Sequence, residues 1–375
     1  MRTRAVPDVP VPEKSADSPV RYLVRTINAD EWPTWDAFVS KSPQGTLFHT
    51  TKWLKTTDRP FRIYGCFHQD SLIGGMVVEI VGPKAAGHSY FTTSTDEVQL
   101  TRDFAPHVIG HALSCPYLGV VLPPPFKKYL TTLTQHRNIL NSLAVHVKDQ
   151  FMSIHSRMGP DVVDMRPFIE AGYSISLRYT YRFDLSDLAV VWSNMTDKRR
   201  NDIRKAERDG IIIDDQGSMQ DILRLLRGTF QRQRRAVRVS ELADRREQML
   251  RAENQGRCFL ARDRSGEAVA GIYMVWDEKC AYYLMGGYGT AAAHRGAGAL
   301  AIWEAIRYAG NILGLQRFDM LAGGWGPVER FMRDFGGYLT VAFIVHCQRP
   351  PPSRALERVM RRLKAIIIPK RSDRF

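Results

Sequence analysis

The stretch HRGAGALAIWEAIRYAG, from His294 to Gly310, decides how the second half of this 375-residue chain is interpreted. Its first residues are basic or small, and the run that follows has the apolar spacing of an amphipathic helix. The strand-like segments CAYYLMGGYG (280–289) and RFDML (317–321) flank it. The N-terminus of such a helix offers unpaired backbone N–H groups and a positive dipole end, which suit an anion. An ordinary flexible loop leading into a helix explains the same residues.

Strands and helices alternate in both halves of the chain. FRIYGCFHQ (61–69) and SLIGGMVVEIVG (71–82) predict paired strands in the first half, and residues 257–290 predict three strands in the second. The predicted class is therefore α/β (α+β), with two tandem domains that each contain a twisted mixed sheet flanked by helices. The predicted divisions are a disordered tail at 1–20, an N-terminal domain at 21–178, a C-terminal domain at 179–348 and a basic tail at 349–375.

The composition bounds the class of partner. Apolar residues make up 44% of the chain, which is enough for packed cores, and the net charge is +14. This excess indicates anionic partners, which include phosphorylated donors, nucleic acid and acidic membrane surfaces. No secretory h-region and no apolar run of about 20 residues is present, so we expect a cytoplasmic protein.

The cysteines and histidines do not form a metal or disulfide motif. Five scattered cysteines without a CxxC pair favour a reducing compartment and buried structural thiols rather than catalytic ones. Neither HExxH nor a Ser-His-Asp spacing is present, and no metal is predicted. The five cysteines are Cys66, Cys115, Cys258, Cys280 and Cys347.

The basic tail has an apolar stripe flanked by arginines. Residues 349–375 follow a proline break and contribute half of the net charge. This pattern suits a helix that lies on the inner face of an anionic membrane. A solvated helix that packs its stripe against the domain is the alternative.

Three segments carry a resemblance that covers nearly the whole chain: residues 42–54 (SPQGTLFHTTKWL), 183–213 (FDLSDLAVVWSNMTDKRRNDIRKAERDGIII) and 317–337 (RFDMLAGGWGPVERFMRDFGG). They resemble the FemAB-type, CelD-like branch of the GCN5-related N-acyltransferase (GNAT) superfamily, in which two acyltransferase-like domains stand in tandem. The resemblance implies transfer of an acyl group from an activated donor, acyl-CoA, to an amino group. The implied acceptor is a precursor of the cell envelope or of an exopolysaccharide, either a small molecule or a lipid-linked sugar.

The resemblance also implies a donor site. In the family, a bulged strand exposes backbone groups to the pantetheine arm, and Gly286 and Gly287 suit such a bulge. The family's phosphate loop reads Arg/Gln-x-x-Gly-x-Gly/Ala. Arg295, Gly296 and Gly298 are therefore the predicted donor-binding residues of the turn, although Leu300 stands where the family has a small residue.

A basic helix supplies the predicted acceptor site. Arg200 and Arg204 share one face at a spacing of four residues, and the planar guanidinium group matches phosphate oxygens. In the family this region holds the nucleotide-diphosphate part of the acceptor. Lys52, Lys55 and Trp325 are further predicted acceptor-binding residues. The alternative is a solvated helix whose arginines pair with its own acidic residues.

Three side chains are candidates for catalysis. Asp319 is a candidate base or acceptor anchor, and a structural hydrogen bond is the alternative role. Tyr288 is a candidate donor to the leaving thiolate, and packing is the alternative. His294 is a candidate proton carrier because histidine as a residue type can exchange a proton near neutral pH, with a solvent-facing loop position as the alternative.

Two rival functions stay open at this point. An aminoacyl-tRNA-dependent transferase of the peptidoglycan type would use the basic surface to hold tRNA, with salt-sensitive binding. A non-catalytic protein would recruit partners or an anionic membrane through the same surface. DNA is not an expected partner in any of these hypotheses.

Overall fold

The computed structural model describes residues 22–57, 60–81, 107–109, 115–151, 153–232, 242–289, 294–322 and 327–348. The elements of the first half are β1 (Leu23–Thr26), α1 (Trp32–Lys41), α2 (Thr51–Leu54), β2 (Phe61–His68), β3 (Ser71–Val81), β4 (His107–Ile109), β5 (Gly119–Val121), α3 (Tyr129–Gln150), β6 (Ser153–Arg157) and α4 (Arg166–Glu170).

A long strand, β7 (Ser174–Asp184), follows the first half and leads into the second. The remaining elements are α5 (Leu188–Asn194), α6 (Asp197–Arg208), β8 (Ile212–Asp214), α7 (Met219–Arg232), α8 (Leu242–Ala252), β9 (Gly256–Arg262), β10 (Ala268–Trp276), β11 (Cys280–Tyr288), α9 (Ala297–Arg307), β12 (Arg317–Asp319), α10 (Pro327–Arg333) and β13 (Tyr338–Gln348). One π-helical turn, Tyr308–Ile312, continues α9. The sequence analysis did not predict α8.

The strands form a mixed, continuous path of hydrogen-bonded neighbours. Their order is β1-β2-β3-β4-β6-β13-β7-β12-β11-β10-β9-β8, and β5 pairs with β3. In the described part of the chain, each half contains a parallel pair, β4 with β6 and β11 with β12, among antiparallel neighbours. Helices flank both halves, so the predicted class of two tandem α/β domains with mixed sheets is confirmed.

The two halves exchange their central strands. β7 follows β6 in the chain but pairs with β12 of the second half, whereas β13 ends the second half but pairs with β6 of the first. β7 and β13 then pair with each other in antiparallel register, from Tyr338 opposite Arg182 to His346 opposite Ser174. The division into domains at 178/179 stays a prediction, and β7 runs continuously through that boundary.

Several predicted features lie outside the described residues: the tails at 1–20 and 349–375, and Trp325. The five cysteines do lie within them, and all are buried free thiols, as predicted. Burial raises the pKa of Cys66 to about 12, which keeps that thiol protonated and unreactive at neutral pH. In the described ranges, no helix combines the length and apolarity that crossing a bilayer requires.

Helix α9 lies inside the core of the second half rather than on its surface. It contains eight buried residues, and Leu300 is only 3% exposed. A helix that is apolar on most of its circumference is buried on most sides. Leu300 therefore fills core volume and does not face the turn that begins the helix.

Two glycines allow helices to approach the sheet and the turn closely. A Cβ atom at Gly287 would lie 2.3 Å from the carbonyl carbon of Leu225 in α7, and one at Gly296 would lie 2.0 Å from the carbonyl oxygen of Asp202 in α6. Both neighbours are backbone atoms, which cannot move aside cheaply. These two glycines are therefore required by packing, whatever else they do.

Adding a methyl group at Gly287 is expected to lower the free energy of unfolding. Gly287→Ala forces α7 away from β11, and overpacking of this kind costs about 1–3 kcal/mol. Urea unfolding followed by circular dichroism measures the change. Gly159→Ala is the matched control, because no atom lies within 4 Å of its Cβ position, and it should keep or slightly raise stability. Equal decreases in the free energy of unfolding of the two variants would contradict the requirement for glycine at position 287.

Candidate active site

The parallel pairing of β11 and β12 stops after three residue pairs. The last pair joins Tyr282 to Asp319, and β11 then continues to Tyr288 beside β10 alone, as far as the described residues show. A register shift against β10 leaves Leu284 without an opposite residue, which is a β-bulge. The sheet thus opens into a fork whose vertex is Asp319, and the backbone of β11 faces the opening.

The N-terminus of α9 follows β11 and lacks a side-chain cap. The N–H of Ala297 donates to the carbonyl oxygen of His294 over 3.0 Å, whereas helix geometry leaves the N–H groups of Gly298 and Ala299 without an intrahelical acceptor. A Cβ at Gly298 would meet only Tyr288 and Ala270, at 3.7 and 3.9 Å. These are ordinary van der Waals distances, so the backbone at Gly298 is not crowded, and the free N–H groups of a helix start suit an anion.

Two arginines lie near this helix start. Arg232 donates to the carbonyl oxygen of Tyr288, and the N–H of Tyr288 donates to Thr229 Oγ1 over 2.9 Å. Burial raises the pKa of Tyr288, while the charges of Arg232 and Arg295 act in the opposite direction. The structure therefore brings together Tyr288, Arg295 and Gly298, which the sequence analysis had singled out, and adds Arg232.

His294 is held by both ring nitrogens. Its Nδ1 accepts from the N–H of Gly296 over 3.1 Å, and Nε2 lies 2.8 Å from Asp209 Oδ2. Lys205 also contacts that carboxylate, at 2.5 Å. These bonds tie the turn to the end of α6 and assign His294 a positioning role; its part in proton transfer stays a prediction.

Asp319 is enclosed on the face of the sheet that packs against the first half. It is 1% exposed, and its carboxylate accepts from Thr180 Oγ1 at 2.5 Å, Tyr117 Oη at 3.0 Å and the N–H of Leu321 at 2.8 Å. Burial raises its pKa above the ordinary 3.8, and these hydrogen bonds, together with the positive charge of the nearby Arg182, partly oppose that rise. A buried carboxyl group with a raised pKa at the edge of an opening in the sheet is a candidate for proton transfer.

The residue that follows this strand is conformationally unusual. Leu321 has φ of 52°, in the left-handed region that a branched side chain rarely adopts. Its N–H bond to Asp319 holds it there, and Arg178 donates to its carbonyl oxygen over 3.3 Å. Such strain often occurs at functional sites, and here it directs the chain away from β11 at the fork.

The basic helix does not present Arg200 freely. Arg200 donates to the carbonyl oxygens of Ser193 and Met195, both at 2.7 Å, and also contacts Asp197, so it caps the C-terminal end of α5. Arg204 is exposed, with its guanidinium group 5.4 Å from the ring centre of Trp192. Their acceptor-binding role stays a prediction.

The two lysines of the first half contact other groups. Lys52 pairs with Glu253 at 2.6 Å, and the Nζ atom of Lys55 lies 4.8 Å from the ring centre of Trp32. Neither contact involves Asp319 or the α9 turn. Acceptor binding by Lys52 and Lys55 also remains a prediction.

The sequence analysis missed the partners of Asp319. Thr180 and Arg182 alternate with apolar residues in β7, and this period of two places them on one face of the sheet. This alternation could have indicated from the sequence that Thr180 and Arg182 lie on the same face. Tyr117 comes from a distant part of the chain, and no local pattern indicates its contact with Asp319.

Replacing Asp319 is expected to change how stability depends on pH. Because the pKa is raised in the folded state, the wild type loses stability as pH rises through it, whereas Asp319→Asn does not titrate. The free energy of unfolding of the variant, relative to the wild type, should therefore increase from about pH 4 to pH 8.

Tyr117→Phe provides the comparison. It removes a hydroxyl that donates to the Asp319 carboxylate and keeps the ring, so the pKa should rise further and the loss of stability with pH should be larger than in the wild type. Urea unfolding at several pH values measures both variants. If the difference in the free energy of unfolding between each variant and the wild type does not vary with pH, the raised pKa of Asp319 is contradicted.

Comparisons with known proteins agree with this geometry. A family model described as an acetyltransferase (GNAT) domain matches residues 193–331, which include the fork and the α9 turn. The crystal structure of FemX is similar at a TM-score of 0.59 and 12% identity, covering 86% of this chain and 96% of that one.

A second solved structure is similar in fold. It is the C-terminal domain of a putative lysylphosphatidylglycerol synthetase from Agrobacterium fabrum, with a TM-score of 0.51 and 11% identity, covering 91% of this chain and 96% of that one. No curated protein matches the sequence. The family match and the shared fold together show a GNAT acetyltransferase domain over residues 193–331 and, for the chain as a whole, the fold of FemX.

Proposed function

We propose that this protein is an N-acyltransferase that takes the acyl group of a coenzyme A thioester and transfers it to an amino group on an envelope or exopolysaccharide precursor. The observation that supports this most directly is the fork between β11 and β12, which opens beside the uncapped start of α9. The acyltransferase class follows from the GNAT domain, and the donor and acceptor are the proposed part.

The donor's phosphates would be held at the α9 turn. Gly298 and Ala299 supply backbone N–H groups, the helix dipole adds a positive end, and Arg295 and Arg232 add charge. The exposed backbone of β11 beyond Tyr282 would then lie alongside the amide-containing arm of the donor where this arm enters the fork. Gly286 and Gly287 lie on this stretch.

The reacting carbonyl would lie at the vertex, next to Asp319. The acceptor nitrogen attacks the thioester carbonyl carbon, a C–N bond forms, and the C–S bond breaks with release of the thiolate. Asp319, in its carboxylate form, takes the proton that the nitrogen loses. Tyr288 is the proposed proton source for the thiolate, which leaves as the thiol.

An aminoacyl-tRNA donor is the alternative that the same fold would accommodate. It would use the fork but would not need a coenzyme A phosphate group at the α9 turn. Association with an anionic membrane through residues 349–375 is compatible with either donor and stays a prediction.

The proposal is tested by donor binding to Gly298→Ala. The added methyl group has room within the fold and improves helix propensity, but it occupies the space through which an anion reaches the backbone. Isothermal titration calorimetry with acetyl-CoA should show at least tenfold weaker binding, which is about 1.4 kcal/mol or more.

Gly159→Ala is the control and should bind acetyl-CoA like the wild type. Unchanged affinity in Gly298→Ala would refute the donor site at this turn. If the wild type binds no coenzyme A ester but binds charged tRNA in a salt-sensitive manner, the alternative donor is the correct one.

A further inference from the structure

A buried arginine of the first half has side-chain nitrogens without partners. Arg157 ends β6 and is 8% exposed, yet its Nε and Nη1 atoms are buried and make no hydrogen bond with the part of the chain that the structure describes. No carboxylate of the described ranges forms an ion pair with it. Buried charges in proteins are normally paired, since an unpaired one costs several kcal/mol.

A second arginine lies on the same face, two strands away, with β13 between the two strands. Arg157 is opposite Ile344 of β13, and Arg178 of β7 is opposite Ala342, so both side chains leave the sheet on one side. Arg178 donates to the carbonyl oxygen of Leu321 over 3.3 Å, which places its guanidinium group near the fork.

The two guanidinium groups repel each other. Burial, and then the positive charge of Arg178, lower the pKa of Arg157 to about 9. Burial also lowers the pKa of Arg178, and only Tyr117 and Asp319 act against that effect. Two positive charges in a dry environment are stable together when an anion lies between them.

The acidic groups of this face are already engaged. Asp161 pairs with Arg182 at 2.9 Å and lies 3.5 Å from Arg317. Asp319 accepts from Thr180, Tyr117 and Leu321, as described above. Among the described residues of this face, no carboxylate is left to complete the pair of arginines, which leaves the place open to an anionic ligand.

We propose that Arg157 and Arg178 bind an oxyanion, a phosphate or carboxylate group of the acyl acceptor. Planar guanidinium groups bind such oxygens in pairs. The assignment to the acceptor rests on the proposed function: Phe318 points to the core around α9, so its neighbour Asp319 and the two arginines lie on the face opposite the donor turn.

Thermal unfolding with added anions tests the site directly. Inorganic phosphate and acetate are titrated at constant ionic strength against chloride, and the wild type should show a rise in Tm with at least one of them. Arg157→Gln keeps the length and polarity of the side chain without the charge, and this variant should lose that rise.

A structural role predicts the opposite result in chloride alone. If Arg157 binds an anion only when a ligand is present, Arg157→Gln removes an uncompensated charge and should raise Tm by about 2 °C or more in chloride. If Arg157 stabilises the fold instead, the Tm of the variant should be lower than that of the wild type. A lower Tm in chloride, or a phosphate response equal to that of the wild type, would overturn the proposal. Arg157→Lys keeps the charge and should retain a weaker response.

Arg295→Gln distinguishes this site from the donor turn. It should keep the part of the phosphate response that Arg157→Gln loses, and it should weaken acetyl-CoA binding, which Arg157→Gln should leave intact. A wild type that binds acetyl-CoA normally but shows no rise in Tm with phosphate or acetate would overturn only this inference. An anion response that depends on Arg157, in a protein that binds no acetyl-CoA, would overturn only the proposed donor.

Discussion

The pairing of β7 with β13 is the constraint on which the rest of the molecule depends. Nine residue pairs join these strands, and each strand then continues into the sheet of the other half. Neither half can therefore complete its sheet alone. The consequence reaches the candidate active site, because Asp319 is held by Thr180 of β7 and by Tyr117 of the first half. The site is a product of the exchange of strands, not of the GNAT domain by itself.

The fork has two different environments on the opposite faces of one sheet. Consecutive residues of a strand point to opposite sides, so Phe318 packs in the core around α9 while Asp319 faces the first half. A donor held at the α9 turn and an acceptor held near Arg178 would approach the same vertex from different directions. Breaking the β11–β12 ladder exposes backbone polar groups, and part of that loss is offset where Asp319 accepts the N–H of Leu321.

The sequence predicts the local parts of this arrangement well. The turn before α9 and the strands on either side of it follow from glycines, charge and apolar periodicity, and the structure places them together. The roles of individual residues were harder to predict. Gly296 and Gly287 are required by helix packing, and the periodicity that puts Arg200 on a helix face does not reveal that α5 ends against it.

Contacts between distant segments were not predictable from one sequence. The strand order, the contact of Tyr117 with Asp319 and the proximity of Arg157 to Arg178 depend on the exchange of β7 and β13, which leaves no periodic signal in either strand. Helix α8 was missed for a local reason: LADRREQMLRA contains few apolar residues, so its helical period is weak.

Electrostatics connects the proposed anion to the chemistry at the fork. Arg178 lies close enough to Asp319 for the carboxylate to oppose the lowering of its pKa, and the same attraction favours the ionised form of Asp319. An acceptor anion bound to Arg178 would compensate that positive charge and weaken the attraction. The pKa of Asp319 would then rise further, and the carboxylate would become a stronger base when the acceptor is present. Arrival of the acceptor would thus both relieve the repulsion between the arginines and prepare the group that receives its proton.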